Sequence, residues 1–330
     1  MTDTVPAPES VDLRETPVDP HDFTYSVVIP VFNSEAIVAD TVNNTLAWFE
    51  SQGLRHEIVL VDDGSEDGSW SVISGLARRH RAVTALRLLR NRGQHNANLC
   101  GFRQSTGDYV ITMDDDGQNP PAEIAHLIDE AMLGRDVVFG RFRHKEASRH
   151  RALGSRMIGQ LNRRIFGQPP DLVVSNFRIL RRDVVDRICA SNTAFPYITG
   201  QALLYSHNRA NTDVEHAPRA AGQSNYGMIR ILRLILRILF SYSSFPLRFA
   251  ATVGFVISGL SFIAAIVFIA RGIFGDSDVE GWTSIMVLVS FMNGVIILML
   301  SMLGEYVVRT LNQVSAIEPY HVVEVVGDGV

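Results

Sequence analysis

Short apolar runs, each closed by polar residues, set the rhythm of the first two thirds of the chain. Residues 25–31, 57–61, 83–89 and 108–113 are rich in Val, Ile, Leu and Tyr, and each stops at a polar cluster. Runs of that length and composition predict strands. Between them apolar positions recur at helical spacing, with Ile37, Val38, Val42, Leu46 and Phe49 marking a helix over 34–51. Further helices are expected up to about His80 and about Ser105, then a helix and a strand over 122–140, then a strand and a helix over 175–188. Strands alternating with helices imply an α/β fold on a mostly parallel sheet with both faces covered. Residues 1–22, rich in Pro, Asp, Glu and Thr without periodicity, read as a disordered tail.

In such sheets ligands bind beyond the carboxyl ends of the strands. Four polar clusters fall there: Pro30 to Asn33, Asp62 with Asp63, Asn91 to His95, and Asp114 to Gln118. In the last, Asp114, Asp115 and Asp116 follow an apolar strand directly. Adjacent carboxylates repel one another and make burial costly, and a hard cation such as Mg²⁺ or Mn²⁺ is the usual remedy. Gln118 adds a carbonyl oxygen, and Pro120 with Pro121 stiffens the loop. Taken alone, the triplet is either a solvated acidic loop or a metal site. Thr112, Asp114, Asp116, Gly117 and Glu123 have the spacing of an EF-hand, but Thr in first place and two prolines in the loop rule that out. Four polar clusters on one sheet edge favour a ligand site over four independent loops.

The pattern changes towards the C-terminus. A basic segment between Arg141 and Arg164 includes Arg143, Lys145 and Arg149, and reads as a phosphate- or anionic-lipid-binding surface or as a solvated face. Residues 219–226 form a polar, Gly-bearing loop. From 227 to 240 the chain is apolar except for arginines, with Arg230, Arg233 and Arg237 on one helical face, as in a helix lying in a membrane interface. Residues 249–270 and 283–304 are uncharged and each long enough to cross a bilayer. The loop between them carries Asp276, Asp278 and Glu280, while Arg248 precedes the first span and Arg309 follows the second. The positive-inside rule then expects both termini in the cytoplasm and a multi-pass protein of the inner membrane. Gly254, Ser258 and Gly259 offer small faces for helix packing in a homo-oligomer. The expected divisions are a tail (1–22), a catalytic domain (23–226), an interfacial helix (227–246), two spans (247–309) and a cytoplasmic tail (310–330).

Composition narrows the rest. A net charge of −5 gives no general case for nucleic acid, and Cys100 and Cys189 lack metal spacing. No G-x-G-x-x-G follows the first strand and no P-loop motif occurs, which argues against a dinucleotide cofactor and against P-loop chemistry. No apolar segment near the N-terminus reads as a signal peptide.

The motifs in order resemble glycosyltransferase family 2, with its GT-A nucleotide-sugar-binding fold, and within it the polyprenyl-phosphate glycosyltransferases. The carriers are residues 27–35, 61–65, 90–95, 113–121, 175–178 and 222–226, and Gly304, Glu305 and Tyr306 at the end of the last span. The resemblance implies that Asp114, Asp116 and Gln118 bind Mg²⁺ or Mn²⁺, and that Pro30, Phe32, Glu35 and Asp63 line the nucleotide. Asn33, Asp62, Gln94 and Asp115, on the same strand ends, are assigned to the nucleotide sugar with them. Arg143, Arg219, Ser224 and Arg178 are assigned to the phosphates of donor and acceptor, with Asp116, Arg143 and Arg219 as the catalytic set. Asp115 stands where Ala is common and is expected to face nucleotide or solvent. Asn176 stands where some relatives carry Asp, and an amide cannot act as a base. The implied reaction is inverting, metal-dependent transfer of a sugar, from a donor expected to be UDP-linked, to polyprenyl phosphate in a lipid bilayer. The alternatives are a transferase for another lipid-linked or polysaccharide acceptor and a non-catalytic nucleotide-sugar-binding scaffold.

Overall fold

The computed structural model describes residues 18–142, 149–217 except 192 and 194, 281–314 and 319–327, with scattered positions between 234 and 266. The chain forms two compact units. The first comprises Met1–Ser191, Pro196–Met228 and Glu318–Val330; the second comprises Asn192–Phe195 and Ile229–Ile317.

The first unit is built on eight strands: β1 (Thr24–Val31), β2 (Arg55–Asp62), β3 (Val83–Leu88), β4 (Tyr109–Thr112), β5 (Val137–Phe142), β6 (Arg178–Arg181), β7 (Arg209–Val214) and β8 (Val322–Val326). Their order is β7-β5-β6-β4-β1-β2-β3-β8. The β4-β1-β2-β3 block is parallel throughout, β6 runs antiparallel between β4 and β5, and β7 pairs parallel with β5. The helices are α1 (Val38–Gln52), α2 (Ser69–Arg79), α3 (Gln94–Gln104), α4 (Ile124–Ala131), α5 (Arg149–Phe166), α6 (Arg182–Ala190) and α7 (Ile198–Tyr205). The expected α/β architecture is present.

Alternation along β1 divides the core. Tyr25, Val27, Ile29 and Val31 share one buried cluster with Val38, Val42, Leu46 and Phe49 of α1. Val28 points the other way, towards α3. The helix approaches so closely there that a Cβ on Gly101 would lie 2.3 Å from Val28 Cγ1. Burial on both faces explains why β1 reads as an unbroken apolar run rather than an alternating one.

Four elements depart from the sequence reading. α5 falls in the basic segment and α7 and β7 in a later stretch, to neither of which an element was assigned, and β8 lies in the expected cytoplasmic tail. β8 pairs antiparallel with β3, from Ala85 opposite Val326 to Leu88 opposite Val322. The Leu89 N–H extends this pairing to the His321 carbonyl at 2.9 Å. Five residues with one central Glu carry too little periodicity to separate a strand from a loop.

In the second unit α8 (Trp282–Val314) runs for 33 residues, about 50 Å at helical rise. Its window Phe291–Val308 has mean hydropathy 1.8 and none of it is buried; among the described residues this is the one helix long and apolar enough to cross a membrane. The second expected span falls within it. Half of the first expected span, 249–270, lies outside the described residues, as do Arg230, Arg233 and Arg237. Gly254 has a role within the chain: a Cβ there would meet Met299 Cε of α8 at 2.0 Å. Tyr306 of α8 also donates to the Ser243 carbonyl at 3.1 Å.

Deleting residues 318–330 strips β8 from β3 and leaves an unpaired edge. The expected outcome is a loss of thermal stability of roughly 5 °C or more, on the scale of about 2–4 °C per kcal/mol for a unit of this size. A melt of the truncated protein beside the full chain measures it.

Candidate active site

The carboxyl ends of β1, β2, β3 and β4 meet at one edge, and their loops are tied to one another by hydrogen bonds. After β1 the chain turns at Asn33, whose φ of 53° lies in the left-handed region that Asn tolerates. The Asn33 N–H donates to Ser65 Oγ at 3.0 Å, and Asn33 Oδ1 accepts from the Glu66 N–H at 2.9 Å. The Ser34 N–H donates to Ser69 Oγ at 2.8 Å, and the Gly68 N–H to Glu35 Oε2 at 3.0 Å. Pro30 is buried in the strand, whereas the Phe32 ring is 45% exposed at the site's surface.

The β2 end is acidic and fully enclosed. Asp62 is 0% exposed; its Oδ1 accepts from the Ser65 N–H at 3.0 Å and its Oδ2 lies 3.5 Å from Arg87 Nε. Asp63 receives the Arg92 N–H at 2.7 Å on one oxygen and the Gly93 N–H at 2.8 Å on the other. Burial nevertheless pushes its carboxyl up to about 6, against the lowering effect of those two amides. Asp63 thus fixes the β3 loop, and only its remaining lone pairs are left for a base. Gly64 makes that contact possible: its φ is +71°, and a Cβ would lie 2.6 Å from the Asn91 nitrogen.

The three aspartates beyond β4 have three different surroundings. Asp114 Oδ1 accepts from Gln94 Nε2 at 2.5 Å. Asp115 Oδ2 accepts from the Phe32 N–H at 3.1 Å and from the Ser34 hydroxyl, while its carbonyl accepts from Thr41 Oγ1 at 3.3 Å. Asp116 Oδ1 accepts from the Gln118 N–H at 3.1 Å. Burial, then the charges of Asp116 and Asp115, push Asp114 up to about 6. Asp115, expected to face nucleotide or solvent, is half-buried and braces the β1 loop.

Arg178 departs further from its expected acceptor-phosphate role. It is 0% exposed, with Nη1 donating to Thr199 Oγ1 at 2.8 Å and, at 3.5 Å, to the Ser175 carbonyl. Among the described residues its Nε and Nη2 have no hydrogen-bond partner. Burial lowers it to about 10, opposed by the charge of Asp114. No phosphate arriving from solvent reaches a side chain so enclosed. His95 is half-buried; desolvation, with the charge of Arg178, pushes it down to about 3, so it is neutral, with its ring edge-on to Tyr197 at 5.2 Å. Arg143, Arg219 and Ser224 lie outside the described residues. The chain leaves for the first from Phe142, whose ring lies 4.5 Å from that of His216. It leaves for the other two after Ala217, whose N–H donates to the Gln118 carbonyl at 3.1 Å.

Sequence reasoning missed Ser34, Ser65, Ser69 and Asp67, which join the β1 and β2 loops, and it left Asn176 without a role. The run from Gly64 to Ser69 was legible only as a turn. Among the described residues no group of three or more His, Cys, Asp or Glu side chains is arranged to hold a metal. Asp114 and Asp116 nonetheless fit a hard cation of the Mg²⁺ type, which takes one or two carboxylates and completes its shell with water and substrate phosphate. Burial and then repulsion by Asp116 and Asp115 raise Asp114, and such an ion relieves the repulsion.

Residues 26–189 match the family described as Glycosyl transferase family 2. The chain is 34% identical over 303 residues to the undecaprenyl-phosphate 4-deoxy-4-formamido-L-arabinose transferase of Shewanella sediminis, covering 91% of this chain and 92% of that one. This chain belongs to glycosyltransferase family 2. It is similarly 36% identical to the transferase of the same name from Pseudomonas paraeruginosa, over 88% of this chain and 87% of that one. Mannosyl-3-phosphoglycerate synthase of Rubrobacter xylanophilus superposes with a TM-score of 0.48 at 18% identity, covering 66% of this chain and 73% of that chain. The first unit of this family 2 glycosyltransferase carries its acidic loops at the carboxyl edge of a mostly parallel α/β sheet.

Two outcomes are expected at this site. Asp115→Ala strands the Phe32 N–H and the Ser34 hydroxyl; about 1–3 kcal/mol of stability is lost in chemical denaturation, and donor KM rises as the β1 loop loosens. The second concerns pH. The folded-state pKa of Asp63 lies above its unfolded value, so the folded state holds the extra proton and stability falls as pH rises from about 4 through about 6. The contribution is on the order of 2–3 kcal/mol, and Asp63→Asn flattens that part of a denaturation series.

Proposed function

We propose that this glycosyltransferase moves a sugar from a nucleotide sugar, UDP-linked, to polyprenyl phosphate at the inner membrane, with a divalent cation and inversion at the anomeric carbon. One observation carries the acceptor. The family match ends at residue 189, yet the likeness to transferases named for undecaprenyl phosphate covers 91% of the chain, a share that cannot omit the 33-residue α8. The apolar, unburied surface of α8 supports the same reading.

In this proposal Asp114 and Asp116 hold Mg²⁺ or Mn²⁺, which when bound offsets the charge of the departing diphosphate. Gln94 orients Asp114, Asp115 holds the β1 loop, and Asp63 holds the β3 loop beside the base. Arg143, Arg219 and Ser224 meet the phosphates of donor and acceptor. A phosphate monoester has its second pKa near 6 and is largely a dianion at neutral pH. It is its own nucleophile, so an amide at Asn176 costs the reaction nothing. A single displacement by that oxygen inverts the sugar carbon. Residues 23–226 form the cytoplasmic catalytic domain and 227–246 lie in the interface. The spans 249–270 and 283–304 hold the domain against the bilayer, with both termini cytoplasmic.

The experiment is a panel of nucleotide sugars assayed with purified protein, undecaprenyl phosphate and Mg²⁺ or Mn²⁺. One UDP-sugar is expected to give a polyprenyl-phosphate monosaccharide, with transfer lost on chelation and reduced about a hundredfold or more in Asp116→Asn. Full activity in that variant ends the metal reading. Transfer to a lipid-linked oligosaccharide or polysaccharide instead of polyprenyl phosphate ends the acceptor reading. Nucleotide-sugar binding with no turnover on any acceptor points to a scaffold.

A further inference from the structure

Gln94 links two strand ends through one line of hydrogen bonds. Its Nε2 donates to Asp114 Oδ1 at 2.5 Å, and its Oε1 accepts from Asn176 Nδ2 at 3.3 Å. Asn176 precedes β6 and is anchored by its backbone: its carbonyl accepts from Thr112 Oγ1 at 2.5 Å, on the strand that delivers Asp114. The next residue is fixed as well, the Phe177 carbonyl accepting from the Gly140 N–H at 2.9 Å and from Ser175 Oγ at 2.7 Å. The Asn176 side chain is therefore presented from a backbone that does not depend on it.

The chemistry along this line has one self-consistent direction. An ionised carboxylate only accepts hydrogen bonds. Gln94 must turn its nitrogen to Asp114, which leaves its oxygen for Asn176, and Asn176 must then offer its own nitrogen. The α3 amide has no preference between its two ends by shape alone; the partner on its far side decides.

We propose that Asn176 is a positioning residue: it locks the Gln94 amide with the donor towards Asp114 and so sets that carboxylate for a divalent cation. This rests on the metal-dependent reading above and gives the amide at 176 a task that an aspartate cannot perform. Aspartate has the same shape but no donor. It would draw the Gln94 nitrogen to itself and turn Oε1 against Asp114, so the acidic loop would lose its donor and gain a repulsion.

The sign of the effect separates this role from mere proximity. An extra carboxylate close to a cation site, acting only through its charge, tightens cation binding. Acting through Gln94, it weakens it, on the scale of about 10–100-fold seen when the partner of a metal ligand is removed. The measurement is Mn²⁺ affinity of the full-length protein with UDP present, from the free Mn²⁺ signal in electron paramagnetic resonance. Asn176→Asp is expected to bind Mn²⁺ about tenfold or more weakly, and Asn176→Leu, neutral and without a donor, to weaken it also. UDP affinity without Mn²⁺ and the melting temperature are expected to hold, since the backbone anchors remain. Asn176→Asp binding Mn²⁺ as tightly as the wild type, or more tightly, overturns the inference, as does an unchanged Asn176→Leu. Wild-type protein that binds no Mn²⁺ with UDP, or binds it equally well in Asp116→Asn, overturns the metal reading and this inference with it. Asp116-dependent binding that ignores residue 176 overturns the inference alone.

Discussion

Asp62, Asp63, Asp114, Asp115 and Asp116 lie buried or half-buried at neighbouring strand ends, and each accepts at least one hydrogen bond from the protein. Desolvating a carboxylate is costly, and crowding several together adds repulsion. The surrounding loops are shaped by that demand. The β3 loop curls so that two successive backbone amides reach Asp63, and the β1 loop so that Phe32 and Ser34 reach Asp115. What looks like a collection of turns is one arrangement of N–H and O–H groups around acids that the sheet has forced inward. The same demand raises Asp114, by burial first and then by the charges of Asp116 and Asp115.

Arg178 supplies part of that charge from behind. Its burial is too complete for a surface ligand, yet its charge acts on Asp114 and on neutral His95. A buried guanidinium is costly unless opposed by an anion, so the cation and the acidic edge each make the other tolerable. That explains why an arginine occupies the start of an interior strand, where an aliphatic residue would otherwise pack.

Much of this was legible in the sequence because it is written contiguously. The alternation of short apolar runs with helical periodicity gave the α/β sheet, and the abrupt ends of the runs located the site before any coordinates. What escaped was set by contacts between distant positions. Asp115 and Asp116 are chemically identical neighbours, and only the strand register directs one to the β1 loop and the other to its own loop. Arg178 reads as a phosphate ligand in the motif at 175–178, and its enclosure depends on β6 running between β4 and β5. β8 is invisible for the same reason: a five-residue run becomes a strand only when β3 offers an edge.

The place of β8 bears on the order in which the protein is made. β3 is synthesised early, but the strand that pairs with it lies more than 230 residues later, beyond α8. Throughout translation the ribosome has released a catalytic sheet with one bare edge, and α8 leaves the exit tunnel before that edge can close. Completion of the sheet thus has to wait until α8 has been made. Its long sequence separation makes it slow by loop closure. Any quality-control step that senses an open strand would read, at that edge, whether synthesis has passed α8 and reached β8.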